Sequence, residues 1–438
     1  MITKTISFTC FLLILICSTT SIEAQNSVDK IQWFRDAKFG LFMHWGPSSV
    51  NGTEISWSRK DHPFDHPGKG PFVPDEKYDN LYKKFNPVKF NADIWMKLAK
   101  KAGFKYIVFT AKHHDGFSNW HTKLRDYNIS NTPFKRDICK ELSDAAHKYG
   151  LKLGWYYSTR DWTHPDYLVG DNKKYNDFYQ GQIRELLTNY GKVDIMWFDH
   201  VSGNWGDYTF QQLFDMMYSL QGKNLLVNNR AARFIKKGKG EKYKSDNPEL
   251  NKLVLGDYDT PEQQIGKFQT DRPWESCMTM TKCVDGGGWS YRPDGKTISY
   301  KQVLQTLVQT VTGDGNLLLN VGPLPSGEFP ADQIVILKKI GKWLKANGES
   351  IYGTRGGPIS NGEWGGMTFK GNKIYVHILN WPKDGSPLVL SAMDKKILRS
   401  RGLNVKNPLV KQTFKSVEIS LPLKNRDDID SIIVLDVI

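Results

Sequence analysis

Asp199 ends the run Val193-Asp194-Ile195-Met196-Trp197-Phe198. An apolar, aromatic segment of this kind reads as a buried strand, and a carboxylate at its end is held by a rigid element beside indole and phenyl faces. Such an acid either does chemistry or caps the loop that follows. A second carboxylate, Glu262, follows Asp257-Tyr258-Asp259-Thr260-Pro261. Two carboxylates flanking one bond are what glycoside hydrolysis requires, one as nucleophile or base and the other as proton donor. The two roles need different surroundings. Asp199 beside a cation such as Arg230 stays ionised, whereas Glu262, near Tyr258 and after Pro261, would keep its proton. A solvated loop acid is the plainer alternative for Glu262.

His113-His114 invites a metal interpretation, but adjacent residues on an extended strand face opposite sides, so both rarely bind one ion. His62 and His66 have a helical spacing that Pro63 and Pro67 break into loop. No metal and no cofactor are expected. Neutral imidazoles facing a sugar would instead match its hydroxyls, each offering one donor and one acceptor; a buried structural role is the alternative for either ring. Trp57, Trp197 and Trp289 are core residues or an apolar wall for a pyranose. Gly286-Gly287-Gly288 opens no helix with a Lys-Ser/Thr, and the chain has no G-x-S-x-G elbow.

These groups need elements to position them, and the chain supplies a repeated one. Short β-rich runs end in polar residues: Phe39–Met43 before His44, Tyr106–Thr110 before His113-His114, Leu151–Trp155 before Tyr156-Tyr157, and Ile195–Phe198 before Asp199. Leu225–Val227 precedes Asn228-Asn229-Arg230, Asp257-Tyr258 precedes Glu262, Pro273-Trp274 leads to Glu275, and Leu317–Val321 precedes Gly322-Pro323. Between them, 3.6-residue apolar spacing predicts helices over Asn91–Ala102, Asp137–Tyr149, Gln182–Tyr190, Phe210–Leu220 and Val303–Thr312. Strands alternating with helices predict an α/β fold, an irregular (β/α)8-like barrel of the TIM type, with its site at the C-terminal ends of the strands. After Asn347 the pattern becomes short alternating runs rich in turn residues, among them Lys373–Ile378, Ser416–Ile419 and Ile432–Leu435. This predicts a C-terminal all-β sandwich. The expected division is a signal peptide over 1–24, a catalytic barrel over 25–346 and a β-sandwich over 347–438.

Residues 1–24 carry Lys4, an apolar stretch from Ile6 to Cys17 and Ile22-Glu23-Ala24 as a cleavage site, which predicts an exported protein with no stable membrane insertion after cleavage. The export compartment, whether periplasmic, secreted or lysosome-like, is left open. Cys139, Cys277 and Cys283 remain, an odd number with no C-x-x-C spacing; Cys277 and Cys283 pair across a loop or stay free, and free thiols are expected. The net charge is +14, yet its basic residues are scattered or in short loops such as Lys236-Lys237-Gly238-Lys239, so nucleic acid is not the expected partner. The sequence does not fix an oligomeric state.

Several motifs recur together and in order: Phe39-Gly40-Leu41-Phe42-Met43-His44-Trp45-Gly46, Ala111-Lys112-His113-His114-Asp115-Gly116-Phe117 and Trp155-Tyr156-Tyr157-Ser158. Trp197-Phe198-Asp199, Trp274-Glu275-Ser276-Cys277 and Asn316-Leu317-Leu318-Leu319-Asn320-Val321-Gly322-Pro323 follow. Over residues 30–325 they resemble the α-L-fucosidases of glycoside hydrolase family 29. The resemblance implies a retaining exo-fucosidase acting on fucosylated oligosaccharides or glycoconjugates through a covalent fucosyl-enzyme. It implies Asp199 as nucleophile and Glu262 as acid/base, with Glu275 the second candidate for that role. It also implies that His44, His113 and His114 hold the hydroxyls of the bound fucose, that Tyr156 and Trp197 line the same substrate pocket, that Arg230 binds near the nucleophile, that Trp289 packs near the sugar's methyl group, and that Glu54 and Trp57 belong to a loop touching the sugar. The alternatives are a fucose-binding, non-catalytic lectin-like protein and another retaining exo-glycosidase on the same fold.

Overall fold

Seven parallel strands build the central sheet: β1 (Phe39–Met43), β2 (Tyr106–Lys112), β3 (Lys152–Ser158), β4 (Ile195–Asp199), β5 (Leu226–Val227), β6 (Glu275–Thr279) and β7 (Asn316–Val321). Their order is β5-β4-β3-β2-β1-β7-β6. The computed structural model describes residues 30–61, 69–168, 170–199, 209–231, 233–236, 239–242, 252 and 255–438. The proposed signal over 1–24, the His62–His66 spacing and Lys237-Gly238 lie outside the described residues, while Lys236 and Lys239 pair as the ends of two short antiparallel strands, Arg233–Lys236 and Lys239–Lys242.

Side chains alternate across these strands as the pleat requires. Phe42, Tyr106, Val108, Tyr156, Ile195, Trp197, Cys277 and Leu318 cluster inside the ring. Met196, Phe198, Ile107, Phe109, Leu317 and Leu319 belong to the larger outer cluster under the helices. Strands buried on both faces read as continuous apolar runs, which is why they stand out in the sequence. Gly40 is dictated by this interior: a Cβ there would lie 2.3 Å from the Tyr106 ring.

The gap between β5 and β6 is closed without a regular strand. Asn228 bridges Tyr258, Asp259 bridges Trp274 and Glu262 bridges Cys277, all in parallel sense. The eighth position of the barrel is thus an irregular segment, 258–262, and it carries Glu262. Its irregularity follows from Thr260-Pro261, since proline cannot donate to a ladder.

Helices α1 (Ala92–Ala102), α2 (Ile138–Lys148), α3 (Asn172–Thr188), α4 (Phe210–Gln221), α5 (Tyr300–Thr312) and α6 (Ala331–Asn347) accompany the strands. Asn91, Asp137, Asp171 and Ser299 cap α1, α2, α3 and α5 by accepting from backbone N–H groups of the first turn. Helix α3 is longer than its predicted span, and α6 was not anticipated.

The C-terminal region is antiparallel. β8 (Gly365–Lys370), β9 (Lys373–Ile378), β11 (Ile397–Gly402) and β14 (Ser431–Val437) form one sheet, with the short strand Arg355–Gly356 on its edge, in the order Arg355–Gly356, β8, β9, β14, β11. β10 (Leu388–Ser391), β12 (Leu409–Gln412) and β13 (Ser416–Ser420) form the other, in the order β10-β13-β12. Met367, Ile374, Val376, Val417, Ile419, Ile433 and Leu435 pack between them. The architecture is an irregular (β/α)8-like barrel followed by an all-β unit, and among the described residues no helix is long and apolar enough to cross a membrane.

Candidate active site

One cavity opens at the C-terminal ends of the strands, lined by Phe42, His44, Trp57, His113, His114, Tyr156, Trp197, Asp199, Arg230, Glu262, Cys277 and Trp289. Asp199 projects inward two residues beyond Trp197 at the end of β4. Its backbone is fixed from β5: the Asn228 amide accepts from the Phe198 N–H at 2.9 Å and donates to the Phe198 carbonyl at 2.8 Å. That side chain extends the short β5 as a strand would. The Asp199 carboxylate accepts from the Tyr156 hydroxyl at 2.7 Å and from Arg230 Nη1 at 3.0 Å, and His114 Nε2 lies 3.6 Å away.

Arg230 connects the two acids. The same Nη1 donates to Glu262 Oε2 at 3.0 Å. Nε and Nη2 donate to the Thr260 hydroxyl and carbonyl at 2.8 and 3.0 Å, and the guanidinium stacks 4.9 Å over the Trp197 ring. Burial opposes its charge, but Glu262 and Asp199 more than offset that and raise its pKa. Because one nitrogen bonds both carboxylates at 3.0 Å, their bonded oxygens are separated by at most twice that distance. The Glu262 side chain is 39% exposed and that of Asp199 only 12%. Glu262 is thus a rim residue that shares the Arg230 cation with Asp199, a partner the sequence reading gave to Asp199 alone.

The histidines converge, contrary to the expectation that His113 and His114 face opposite sides. Strand β2 ends at Lys112, with a register shift against β3 between Thr110 and Lys112, so the strand alternation no longer applies to the two rings. Their centroids are 4.1 Å apart. Each ring is held from behind: His113 Nδ1 pairs with the Ser56 hydroxyl and His114 Nδ1 with the Ser158 hydroxyl, both at 2.6 Å. His44 Nδ1–H donates to Asn320 Oδ1 at 2.8 Å, and the Asn320 amide donates to the Trp289 carbonyl at 2.7 Å. This assignment leaves His44 Nε2 as an acceptor.

Trp289, Phe42 and Trp197 make the apolar side of the cavity, with Phe42–Trp197 and Phe42–Trp289 centroids 5.2 and 5.9 Å apart. Trp57 packs edge-on against His114 at 5.3 Å. Glu54 does not line the cavity. It is fully buried, and its carboxylate accepts from the backbone N–H groups of Gly288, Trp289 and Ser290 at 2.6, 3.1 and 3.2 Å. Burial raises its pKa against those donors. Its visible work is to hold the loop that presents Trp289. Glu275 also lies outside the cavity lining: it begins β6 rather than ending a strand, level with Asn316 at the start of β7. A residue at the start of a barrel strand sits at the end away from the mouth.

Phe42, Cys277, Ser56, Ser158 and Asn320 were not singled out as site residues. Phe42, Ser158, Cys277 and Asn320 lie within the quoted motifs, and Ser56 lies between Glu54 and Trp57 of the loop that the resemblance marks, so their place at the site was latent there. Cys139, Cys277 and Cys283 are all free. His113, His114 and Asp199 each bring a ligand atom within 4.8 Å of one another. That set has the composition of a cation site, but Arg230 and Tyr156 already engage both oxygens of the carboxylate.

Burial pushes His44 down to about 4, against the smaller opposing effects of Asn320 and Asp199, and drives His113 well below its ordinary value. His44 is therefore a neutral acceptor–donor group at pH 5 and above, and burial favours the neutral form of His113 as well. The unfolded chain protonates His44 near pH 6.5 and the native protein only near 4, so this residue's contribution to stability is full above 6.5 and is lost as pH falls toward 4. The expected His44→Asn variant loses this acid-side slope, up to about 1.4 kcal/mol per pH unit, in melting curves taken from pH 7 to 4. An unchanged slope would show that His44 is not neutral in the native protein.

Comparison with known proteins places this geometry. Residues 18–349 match the family model described as Alpha-L-fucosidase. The tissue alpha-L-fucosidase of Bos taurus is 29% identical over 402 residues, covering 86% of this chain and 81% of that protein. The plasma alpha-L-fucosidase of Homo sapiens is 29% identical, covering 84% and 81%. Among solved structures, alpha-L-fucosidase isoenzyme 1 from Paenibacillus thiaminolyticus superposes with a TM-score of 0.80 at 32% identity, covering 94% of this chain and 100% of that one. A Bacteroides thetaiotaomicron alpha-L-fucosidase, solved as a trapped covalent intermediate with 2-fluoro-fucosyl fluoride, gives 0.78 at 27% identity, covering 94% and 96%.

Proposed function

Because the chain belongs to the α-L-fucosidase family of glycoside hydrolases, we propose that it is a retaining exo-α-L-fucosidase that releases terminal fucose from glycans through a covalent fucosyl-enzyme. The observation that carries the mechanism is the single Arg230 nitrogen bonded to both Asp199 and Glu262. Two carboxylates sharing one nitrogen at 3.0 Å each are in keeping with the close pair, roughly 5–5.5 Å apart, of retaining enzymes. The covalent species trapped in the Bacteroides thetaiotaomicron relative is in keeping with this.

Asp199 attacks the anomeric carbon. Its charge is held by Arg230, and the Tyr156 hydroxyl bond aims its second oxygen. Glu262 donates a proton to the departing glycosidic oxygen, then takes one from the water that hydrolyses the ester. Its exposure suits that task, since both the leaving group and the water enter from solvent. His44, His113 and His114 supply fixed acceptors and donors to the sugar hydroxyls. A site built to bond particular hydroxyls rejects isomers because a misplaced hydroxyl leaves buried groups unpaired. The apolar wall of Phe42, Trp197 and Trp289 receives the C6 methyl, which is worth only about 1 kcal/mol. Most discrimination therefore rests on the histidines.

We further propose export of the mature chain, from the apolar stretch after Lys4. The activity is tested by hydrolysis of aryl α-L-fucoside against aryl α- and β-galactosides, followed by a panel of fucosylated oligosaccharides. Selective release of fucose, with the α anomer formed first by NMR, is expected. Fucose binding without turnover would leave a lectin instead.

A further inference from the structure

We propose that Glu275 is a positioning residue for this reaction, acting through Trp197, and not a proton donor. The inference rests on the fucosidase reading of the site. Glu275 is fully buried, and its carboxyl is enclosed by the interior of the barrel. Both oxygens are engaged by ring donors: Trp197 Nε1–H donates to Oε1 at 2.9 Å, and the Tyr106 hydroxyl donates to Oε2. It lies at the start of β6, whereas Asp199 lies at the end of β4. Neither oxygen is offered to the cavity, so neither can protonate a leaving group there.

A carboxyl in an apolar interior carries a desolvation penalty that a hydrocarbon of the same size would avoid. Burial indeed pushes its pKa up to about 7, against the Tyr106 and Trp197 bonds. What the group provides in return is the acceptor for the one polar atom of the Trp197 ring. That indole stacks on Tyr156 at 5.5 Å with 21° between planes and lies 4.9 Å beneath the Arg230 guanidinium. Tyr156 and Arg230 both bond the Asp199 carboxylate. Rotation of an unanchored indole would displace both, and with them the nucleophile. Small displacements of a reacting group are costly: about 1 Å can cost on the order of 100-fold in rate.

The test uses the full-length protein and four variants. Glu275→Leu, which removes the acceptor, is expected to lower kcat by about 10- to 100-fold on activated aryl fucosides and on fucosylated oligosaccharides alike. Combined with Trp197→Phe, it should add little to the larger single loss, because both changes break one bond. Glu275→Gln retains a carbonyl oxygen for the indole and is expected to stay within a few-fold of the parent on both substrates. Loss in Glu275→Gln confined to poor leaving groups would make Glu275 the acid and overturn the proposal; so would additivity in the double variant. If Glu275→Leu does not fold, the Glu275→Gln comparison still decides. The indole N–H resonance of Trp197, assigned by its disappearance in Trp197→Phe, separates this inference from the activity itself. It should keep its hydrogen-bonded shift in Glu275→Gln and lose it in Glu275→Leu. A parent protein inactive on every fucoside would defeat the assigned reaction, while an indole resonance indifferent to Glu275→Leu would defeat this one.

Discussion

Asp199→Gly is expected to lower turnover of aryl α-fucosides by on the order of 10⁴-fold or more, with the protein still folded. The size of the loss follows from its place. Asp199 is the only carboxylate of the described cavity lining held at depth, with both oxygens aimed by fixed partners. Deleting it leaves Arg230 paired with Glu262, so no buried cation is stranded and the fold should survive. The space vacated lies beside the guanidinium and the Tyr156 hydroxyl, a setting suited to a small anion. Azide should therefore restore turnover and appear in the product as β-fucosyl azide, because it attacks from the face the nucleophile used. Activity that survives the substitution, or a variant deaf to azide while cleaving activated substrates, would remove Asp199 from that role.

Much of this arrangement was legible in the chain, and the reasons differ by residue. Strands β1 to β4 and β7 are buried on both faces, so they announce themselves as apolar runs with a polar terminus. Because a barrel gathers its strand ends, His44, Tyr156 and Asp199 could be grouped before any contact was known. Glu275 shows where that logic stops. Trp274-Glu275 resembles the end of a short strand, but β6 begins there and continues to Thr279. A strand's direction into or out of the mouth depends on where its ladder starts, and Asn316 pairing with Glu275 sets that start from the far side of the sequence. His113 and His114 fail for a related reason: the strand rule holds only while the strand lasts, and it ends one residue earlier. Helix α6 follows Pro330 with no side-chain cap, so it lacks the usual opening signal. In the β unit, β11 and β12 leave a weaker pattern because no residue of either is fully buried.

The same distinction between position and sequence governs the acid. Glu262 sits on a part of the ring that joins its neighbours by isolated bridges rather than as a regular strand. The segment is pinned by the bridge from Glu262 to Cys277 and by the Gln263 amide donating to the Thr279 hydroxyl at 3.0 Å. Gln263 itself turns through a positive φ of 54°, which directs the chain away immediately after the acid. Glu262→Ala is expected to lose about 10²- to 10⁴-fold on fucosylated oligosaccharides, whose alcohols depart poorly without a proton. On fucosides with strongly acidic phenols the first step should be nearly unaffected, and the fucosyl-enzyme should accumulate as an initial burst. Azide then intercepts that ester from the opposite face and gives α-fucosyl azide, the reverse of the Asp199→Gly product. The anomer formed thus reports which carboxylate was removed. Glu262→Ala yielding the β anomer, or losing activity equally on all leaving groups, would transfer the acid role away from Glu262. The enclosed Glu275 could not inherit it, since its oxygens face Tyr106 and Trp197 rather than the cavity.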